Sequence, residues 1–442
     1  MSFRRRTDEL ISTPAQPCPA CATGRCAVSS ALNLNRRSER ALLALLAAVQ
    51  FTTVLDFLIV LPLGPQYMEV MHIGPSQFGL IVSSYAVSAG LSGIAAGFFL
   101  DYFDRKRALL ALFSGFTLGT LCCALAQGYH LLVLARALAG AFGGVTGALI
   151  LAIIGDVVPE ERRGAAMGLV MSAFSLASIG GVPCGLYLAR LWSWHMPFFA
   201  LAGLSAVILA VAAWLLPPMR DHLQLTREAH PAARVWAVWI ERDHQMAFLF
   251  MAVLTCAGAL IFPFIATYMV TNTGMTQKQV PFIYLAGGLC TFVSMNWIGR
   301  WADRAGKPRV FWIMSACATV PILLFTNLHR VPFLAGIGVT TLLMVCMSGR
   351  FVPAMAMVTA SVKARYRGGF MSANSSVQQF SMGLATYLSG QIMGQTPRGE
   401  LTHFPSIGLL SILCTFAGIS LSRYLRPAVE ARSVPAAPVW VE

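Results

Sequence analysis

One carboxylate stands well inside the long apolar stretches of this chain: Asp56, in the segment Thr52–Phe57. An ionisable side chain in such a setting is costly unless it is paired or neutralised, so it is a functional candidate by default. A carboxyl group poised between neutral and paired states suits the binding and release of a proton. Its nearest candidate partner is Arg136, in the glycine-rich segment Leu134–Gly144. Asp56 lies six or seven residues before the end of its stretch, roughly 10 Å at a helical rise of 1.5 Å per residue. Arg136 lies about five residues past the start of its own stretch, a similar depth if both are helices. The alternatives are a coupling pair or a static buried pair. A third buried charge, Arg350, precedes Pro353. It can snorkel, bond to carbonyls freed by the proline, or hold an anionic group.

These residues need a membrane scaffold. The chain has 442 residues, 57% hydrophobic and 11% charged, with mean hydropathy +0.67. A soluble domain is typically about 25% charged, so an ordinary soluble enzyme and a disordered protein are excluded. Apolar runs of bilayer-spanning length are read at 41–63, 78–100, 108–126, 131–157, 165–188 and 197–216. After a polar break come 247–270, 282–298, 310–323, 331–359, 369–393 and 407–421. The expected class is therefore an all-α integral membrane protein with twelve transmembrane helices. A β-barrel needs alternating polarity, which these runs lack.

With both termini inside, 26 basic residues fall in cytoplasmic segments. Arg190, Lys278, Arg330 and Arg398 fall outside, and Arg136 and Arg350 fall within spans. Retention of Lys and Arg on the cytoplasmic side then orients the chain in a cytoplasmic (inner) membrane. The net charge of +14 thus marks topology, and no nucleic-acid partner is expected. The expected organisation is a cytoplasmic tail (1–40), a six-helix bundle (41–216), a cytoplasmic linker (217–245), a second six-helix bundle (246–426) and a C-terminal tail (427–442). Cys18, Cys21 and Cys26 lie in the first tail with no His nearby, so no metal site is expected. The chain has no phosphate-binding G-x4-G-K-[ST] loop and no loop large enough for a catalytic domain, so neither an enzyme nor an ATP-driven machine is expected.

Two loops repeat. Gly97–Arg107 and Gly299–Arg309 share the form G-x3-D-x3-[RK]-x-R, with Asp101 and Asp303 equivalent. Arg163-Gly164-x2-Met167 matches Arg367-Gly368-x2-Met371 at nearly the same offset. Two anchors at one offset imply a duplicated six-helix unit. Asp101 and Asp303 sit at the inner ends of spans. There an acid can accept bonds from a helix N-terminus or pair with Arg from a neighbouring loop, closing the cytoplasmic face or simply orienting the loops.

On these loops the chain resembles a twelve-span transporter of the major facilitator superfamily, in its drug and sugar efflux branch, from about residue 41 to 426. The first-half loop departs from the family form: Asp104 stands for the usual glycine and Tyr102 for a basic residue. The resemblance implies two pseudo-symmetric six-helix bundles that alternate access. It implies a cytoplasmic gate of Gly97, Asp101, Arg105, Gly299, Asp303 and Arg304. It also implies Asp56 as a proton- or cation-sensing acid, modulated by Arg136. The proton would be the coupling ion, with no cofactor. Gly181, Pro183 and Gly185 on span 5 match an antiporter-associated motif loosely, Cys184 replacing a glycine. The alternative there is a packing kink.

Polar or aromatic residues in other spans are cavity candidates: Gln50, Phe262, Asn296, Arg350, Asn374 and Gln378. Such groups either bond between helices or line an aqueous cavity. Proton-coupled efflux of a small organic solute, by a monomer in the lipid bilayer, is the expected function. Uptake of a small metabolite and a non-transporting membrane sensor are the alternatives.

Overall fold

The computed structural model describes residues 36–217, 219, 236, 238–363, 367–397 and 399–425. The cysteine-bearing tail, most of the central linker and the C-terminal tail lie outside the described residues.

Among the described residues, eleven segments are long and apolar enough to cross a membrane. Spans 1 to 6 are Glu39–Val60, Pro75–Phe99, Arg105–Leu125, Tyr129–Val157, Arg162–Leu191 and Met196–Leu215. Spans 7 to 10 are Arg242–Thr271, Val280–Ala305, Lys307–Thr326 and Phe333–Ala360, and span 12 is Phe404–Ser422. The twelfth crossing, span 11, is the helix Arg367–Ile392, whose Ser, Asn and Gln content keeps it out of the apolar set. Its 26 residues reach roughly 39 Å at 1.5 Å per residue, ample for a hydrocarbon core of about 30 Å. Span 9 runs longer than its apolar run because Pro308 sits in its first turn, where a missing N–H costs nothing.

Three spans break where prolines and glycines fall. In span 5 a π-helical turn, Ala177–Gly181, precedes Pro183. Proline has no N–H to continue the ladder, so the preceding turn widens. Span 7 narrows to a 3-10 turn at Phe262–Phe264, and span 10 breaks between Gly349 and Phe351, at Arg350.

The loops that repeat in sequence share one face, the tail face. The loop between spans 1 and 2, on the opposite or far face, holds a short helix, Gly64–Val70. The loop between spans 11 and 12 holds a hairpin, β1 (Gly394–Gln395) antiparallel to β2 (Leu401–Thr402). Asn272 clamps it by donating to Leu401 O and accepting from Leu401 N, both at 2.9 Å.

Spans 2 and 11 form the main seam between the halves. A Cβ added to Gly79 would lie 3.2 Å from Gly390 Cα, and one on Gly90 would lie 2.7 Å from Phe380 N. Glycine at these positions lets the two backbones approach. At the far face Phe78 of span 2 meets Phe264 of span 7 edge-on at 5.5 Å, and Gln277 donates to Glu69 at 3.1 Å. Further toward the tail face the seam parts: a Cβ on Gly97 would meet nothing within 4 Å. The halves are thus closed against each other at the far face.

Candidate functional site

The structure joins the two charges that the sequence placed at one depth. Arg136 NH1 donates to Asp56 Oδ2 at 2.5 Å and to the Asp56 carbonyl at 3.3 Å. Both side chains are fully buried. Thr120 of span 3 donates to the other carboxylate oxygen at 3.2 Å, and the guanidinium carbon lies 4.3 Å from the centre of the Tyr85 ring on span 2. Four spans therefore build the site. The glycines of span 4 make it possible: a Cβ on Gly144 would lie 2.5 Å from Ala89 Cβ, so spans 2 and 4 pack closely around the pair.

Desolvating two charges is expensive, and their attraction offsets it only with good geometry and further bonds. Here the carboxylate is bonded at both oxygens, while Arg136 Nε and NH2 have no partner among the described residues. The ring of Tyr85 supplies part of the missing compensation through its negative face. Losing the carboxylate's charge would leave a buried cation facing only dipoles and π density. The protonation state of Asp56 therefore bears directly on how spans 1, 2, 3 and 4 hold together.

The cavity candidates do not converge on this pair. Gln50 on span 1 is half-buried, with Oε1 near Gly147 of span 4 and without a hydrogen-bond partner among the described residues. Asn374 is buried on span 11, its Oδ1 without a hydrogen-bond partner among the described residues, and Gln378 follows one turn on, half-buried. Phe262 is half-buried at the break in span 7. Asn296 is exposed and donates to Phe292 O of its own helix. Arg350 points within the second half: it donates to Thr415 of span 12 at 2.8 Å and to the Met347 sulfur at 2.9 Å. Gly181 and Gly185 pack span 5 on span 1, since added Cβ atoms would lie 2.8 Å from Leu55 Cδ1 and 2.5 Å from Ile59 Cδ1.

The tail-face loops are tied to neighbouring span ends. Arg105 pairs with Asp156 at the end of span 4, at 2.9 Å. Arg162 pairs with Glu39 at 3.0 Å. Asp104, the departure from the family form, starts span 3. Its carboxylate accepts from Lys106 N at 2.9 Å and from Met219 N at 3.2 Å. Asp101 is in a 3-10 turn whose side-chain contacts lie outside the described residues. Asp303 and Arg304 are exposed, and Asp303 has no hydrogen-bond or ion-pair partner among the described residues.

The Major Facilitator Superfamily profile matches residues 46–386 and 247–440. The chain belongs to the major facilitator superfamily. It is therefore a transporter-family protein and not an enzyme. Among its relatives, the MFS-type transporter YceJ of Bacillus subtilis is 24% identical over 379 residues, 84% of this chain and 95% of YceJ. The inner membrane transport protein YdhP of Escherichia coli is 25% identical over 332 residues, 73% of this chain and 81% of YdhP. A probable sugar efflux transporter of Helicobacter pylori is 29% identical over 279 residues, 60% of this chain and 68% of that protein. In fold, the chain superposes on the nucleoside transporter NupG with a TM-score of 0.68 at 15% identity, covering 86% of this chain and 99% of NupG.

Thr120, Tyr85, Asp104 and Asp156 were not singled out from the sequence as site residues. Asp156 carried a signal, an acid at a span end facing an arginine-rich loop. Tyr85 and Thr120 carried none, because an aromatic or hydroxyl residue inside a span reads the same whether it packs or supports a charge.

Proposed function

We propose that this chain is a secondary active transporter that exports a small organic solute across the cytoplasmic membrane in exchange for protons. The tail face is cytoplasmic in this reading, as the basic residues of its loops favour. The closed far face then corresponds to a conformer sealed from the outside. The observation that carries the proposal is the Asp56–Arg136 pair, fully buried and shared by four spans of one half.

Proton binding at Asp56 would release Arg136 and loosen spans 1 to 4, biasing the halves toward the other closure. A solute bound between the halves would do the same through its own contacts, and rocking about the shared seam would expose each in turn. The resemblance to a sugar efflux protein supports export, and the polar span 11 offers hydrogen-bonding groups to a neutral solute.

The test is solute flux in vesicles with an imposed pH gradient. Inward-acid and outward-acid gradients should drive flux in opposite directions, and Asp56→Asn should abolish that response while the folded protein stays in the membrane. Flux that is unchanged on collapsing the gradient would remove proton coupling.

A further inference from the structure

The second half of the molecule holds a buried charge that the Asp56–Arg136 pair does not explain. Arg350 stands at the break in span 10, between Gly349 and Phe351, and only 1% of its surface is exposed. The segment of span 10 that follows it, Phe351–Ala360, has ten residues, roughly 15 Å of helix at 1.5 Å per residue. The bond to Met347, one turn earlier, turns the side chain away from that nearer end. The guanidinium therefore does not snorkel to the tail face. Nor do the carbonyls beside Pro353 hold it, since neither of its bonds goes to a carbonyl.

This half supplies no counter-charge. Residues 246–425 contain two carboxylates, Asp303 and Glu400. Asp303 is exposed at the tail-face end of span 8, and Glu400 is exposed between the strands of the far-face hairpin. Among the described residues no carboxylate pairs with Arg350, whereas Arg136 has Asp56.

Its donors are in surplus as well. A guanidinium carries five N–H groups. One of NH1 goes to Thr415 Oγ1 at 2.8 Å and one of NH2 to the Met347 sulfur at 2.9 Å, a weak acceptor. Thr415 donates its own proton to Ser411 O at 2.9 Å, and Ser411 donates to Ala257 O of span 7 at 2.6 Å. These bonds fix the guanidinium between spans 10 and 12, with span 7 behind. Three N–H groups are left without an acceptor among the described residues. A buried cation with neither a partner charge nor enough acceptors is among the costliest arrangements a fold can hold.

We infer that Arg350 anchors an anion site inside the second half, which takes a compact monovalent anion on the three free N–H groups. One negative charge balances one guanidinium, and a divalent anion would exchange an unpaired cation for an unpaired anion. A free halide and the carboxylate of a small solute are the two sources of that chemistry. The bound anion fastens span 10 to its neighbours at the point where the span breaks. The site lies in the half without Asp56 and stands whether or not protons are exchanged there.

The experiment uses the purified full chain in detergent at constant ionic strength, with chloride exchanged for gluconate. The unfolding midpoint should rise saturably with chloride, by about 2 °C or more once the site is filled. Radiolabelled chloride should bind at about one per chain in equilibrium dialysis, and acetate in its place separates the sources: a response to chloride marks a free halide, a response to acetate alone a carboxylate. Arg350→Met should abolish the response, and in gluconate it should unfold no earlier than the unaltered chain, because it removes a charge that lacks its partner. Arg309→Met, at an exposed tail-face arginine, should keep the full response. Should Arg350→Met fail to fold, Arg350→Lys keeps the charge but not the planar fork, and should bind the anion about tenfold more weakly. A chain indifferent to both chloride and acetate, or an undiminished response in a folded Arg350→Met or in Arg350→Lys, would overturn the inference.

Discussion

Arg136 and Asp56 are 80 positions apart in sequence, and their side chains meet at 2.5 Å with neither exposed. Such a pair is a poor source of stability, since similar volumes of hydrocarbon often do as well or better. Its retention in a scaffold of apolar helices is therefore better explained by what the pair does when it is broken. In the proposed exchange, a carboxylate that alternates between Arg136 and a proton would turn a chemical gradient into a change in how four helices pack.

Removing one partner should cost far more than removing both. Asp56→Asn leaves a buried cation, and Arg136→Met leaves a buried carboxyl group, each expected to destabilise the fold by about 3 to 5 kcal/mol. The double variant Asp56→Leu with Arg136→Met should recover most of that and still fail to couple flux to pH. Thermal unfolding in detergent, read beside vesicle flux, checks both halves of the expectation. A double variant as unstable as the worse single one would show that the pair contributes net stability.

Much of this was legible in the sequence, for a simple reason. In a chain 11% charged, a buried Asp and a buried Arg stand out, and apolar runs mark the spans. Rotation of each helix about its axis was not legible. Spans that are apolar all round do not say which side faces a neighbour, so the sequence could not assign Arg350 to Thr415 or separate Asn296 from Asn374. The Gly64–Val70 helix escaped because its seven residues extend an apolar run without a period of their own. The repeated loops share one sequence form, yet the bonds of the first in this conformer run to Asp156 and Met219, which no repeat pattern marks.

The seam between spans 2 and 11 should respond to methyl groups by position. At Gly90 a Cβ would press on the backbone of Phe380 and on Ser376 O at 2.9 Å, atoms that cannot swing aside. Gly90→Ala should therefore part the helices and slow flux severely. At Gly97, about six turns from the far face at 3.6 residues per turn, a Cβ meets open space. Gly97→Ala should leave flux intact and raise stability by roughly 0.5 to 1 kcal/mol, the gain expected for alanine over glycine within a helix. Equal effects at the two sites would mean that the seam is not a close contact.

Asp104 should matter as a helix start. It accepts from Lys106 N at the first turn of span 3 and from Met219 N, and it is buried. Asp104→Ala should cost about 1 to 2 kcal/mol, at the upper end for a lost N-cap because the Met219 N–H also loses its acceptor. Asp104→Asn keeps an acceptor oxygen and should retain most of the stability. Unfolding midpoints of the two variants give the comparison, and equal losses would remove the capping role.

Asp303 makes the opposite case, because it is exposed and bonds to none of the described residues in this conformer. A side chain without a bond has little to lose here, so Asp303→Asn should leave the unfolding midpoint of the far-face-closed state within about 0.5 kcal/mol equivalent, as for surface changes generally. If Asp303 instead bonds across the tail face when that face closes, the same change should lower turnover while solute affinity holds. The measurement is flux against solute concentration: a fall in maximal rate with an unchanged half-saturating concentration marks a residue of the alternate closure. An unchanged rate would restrict the loop to orienting spans 8 and 9.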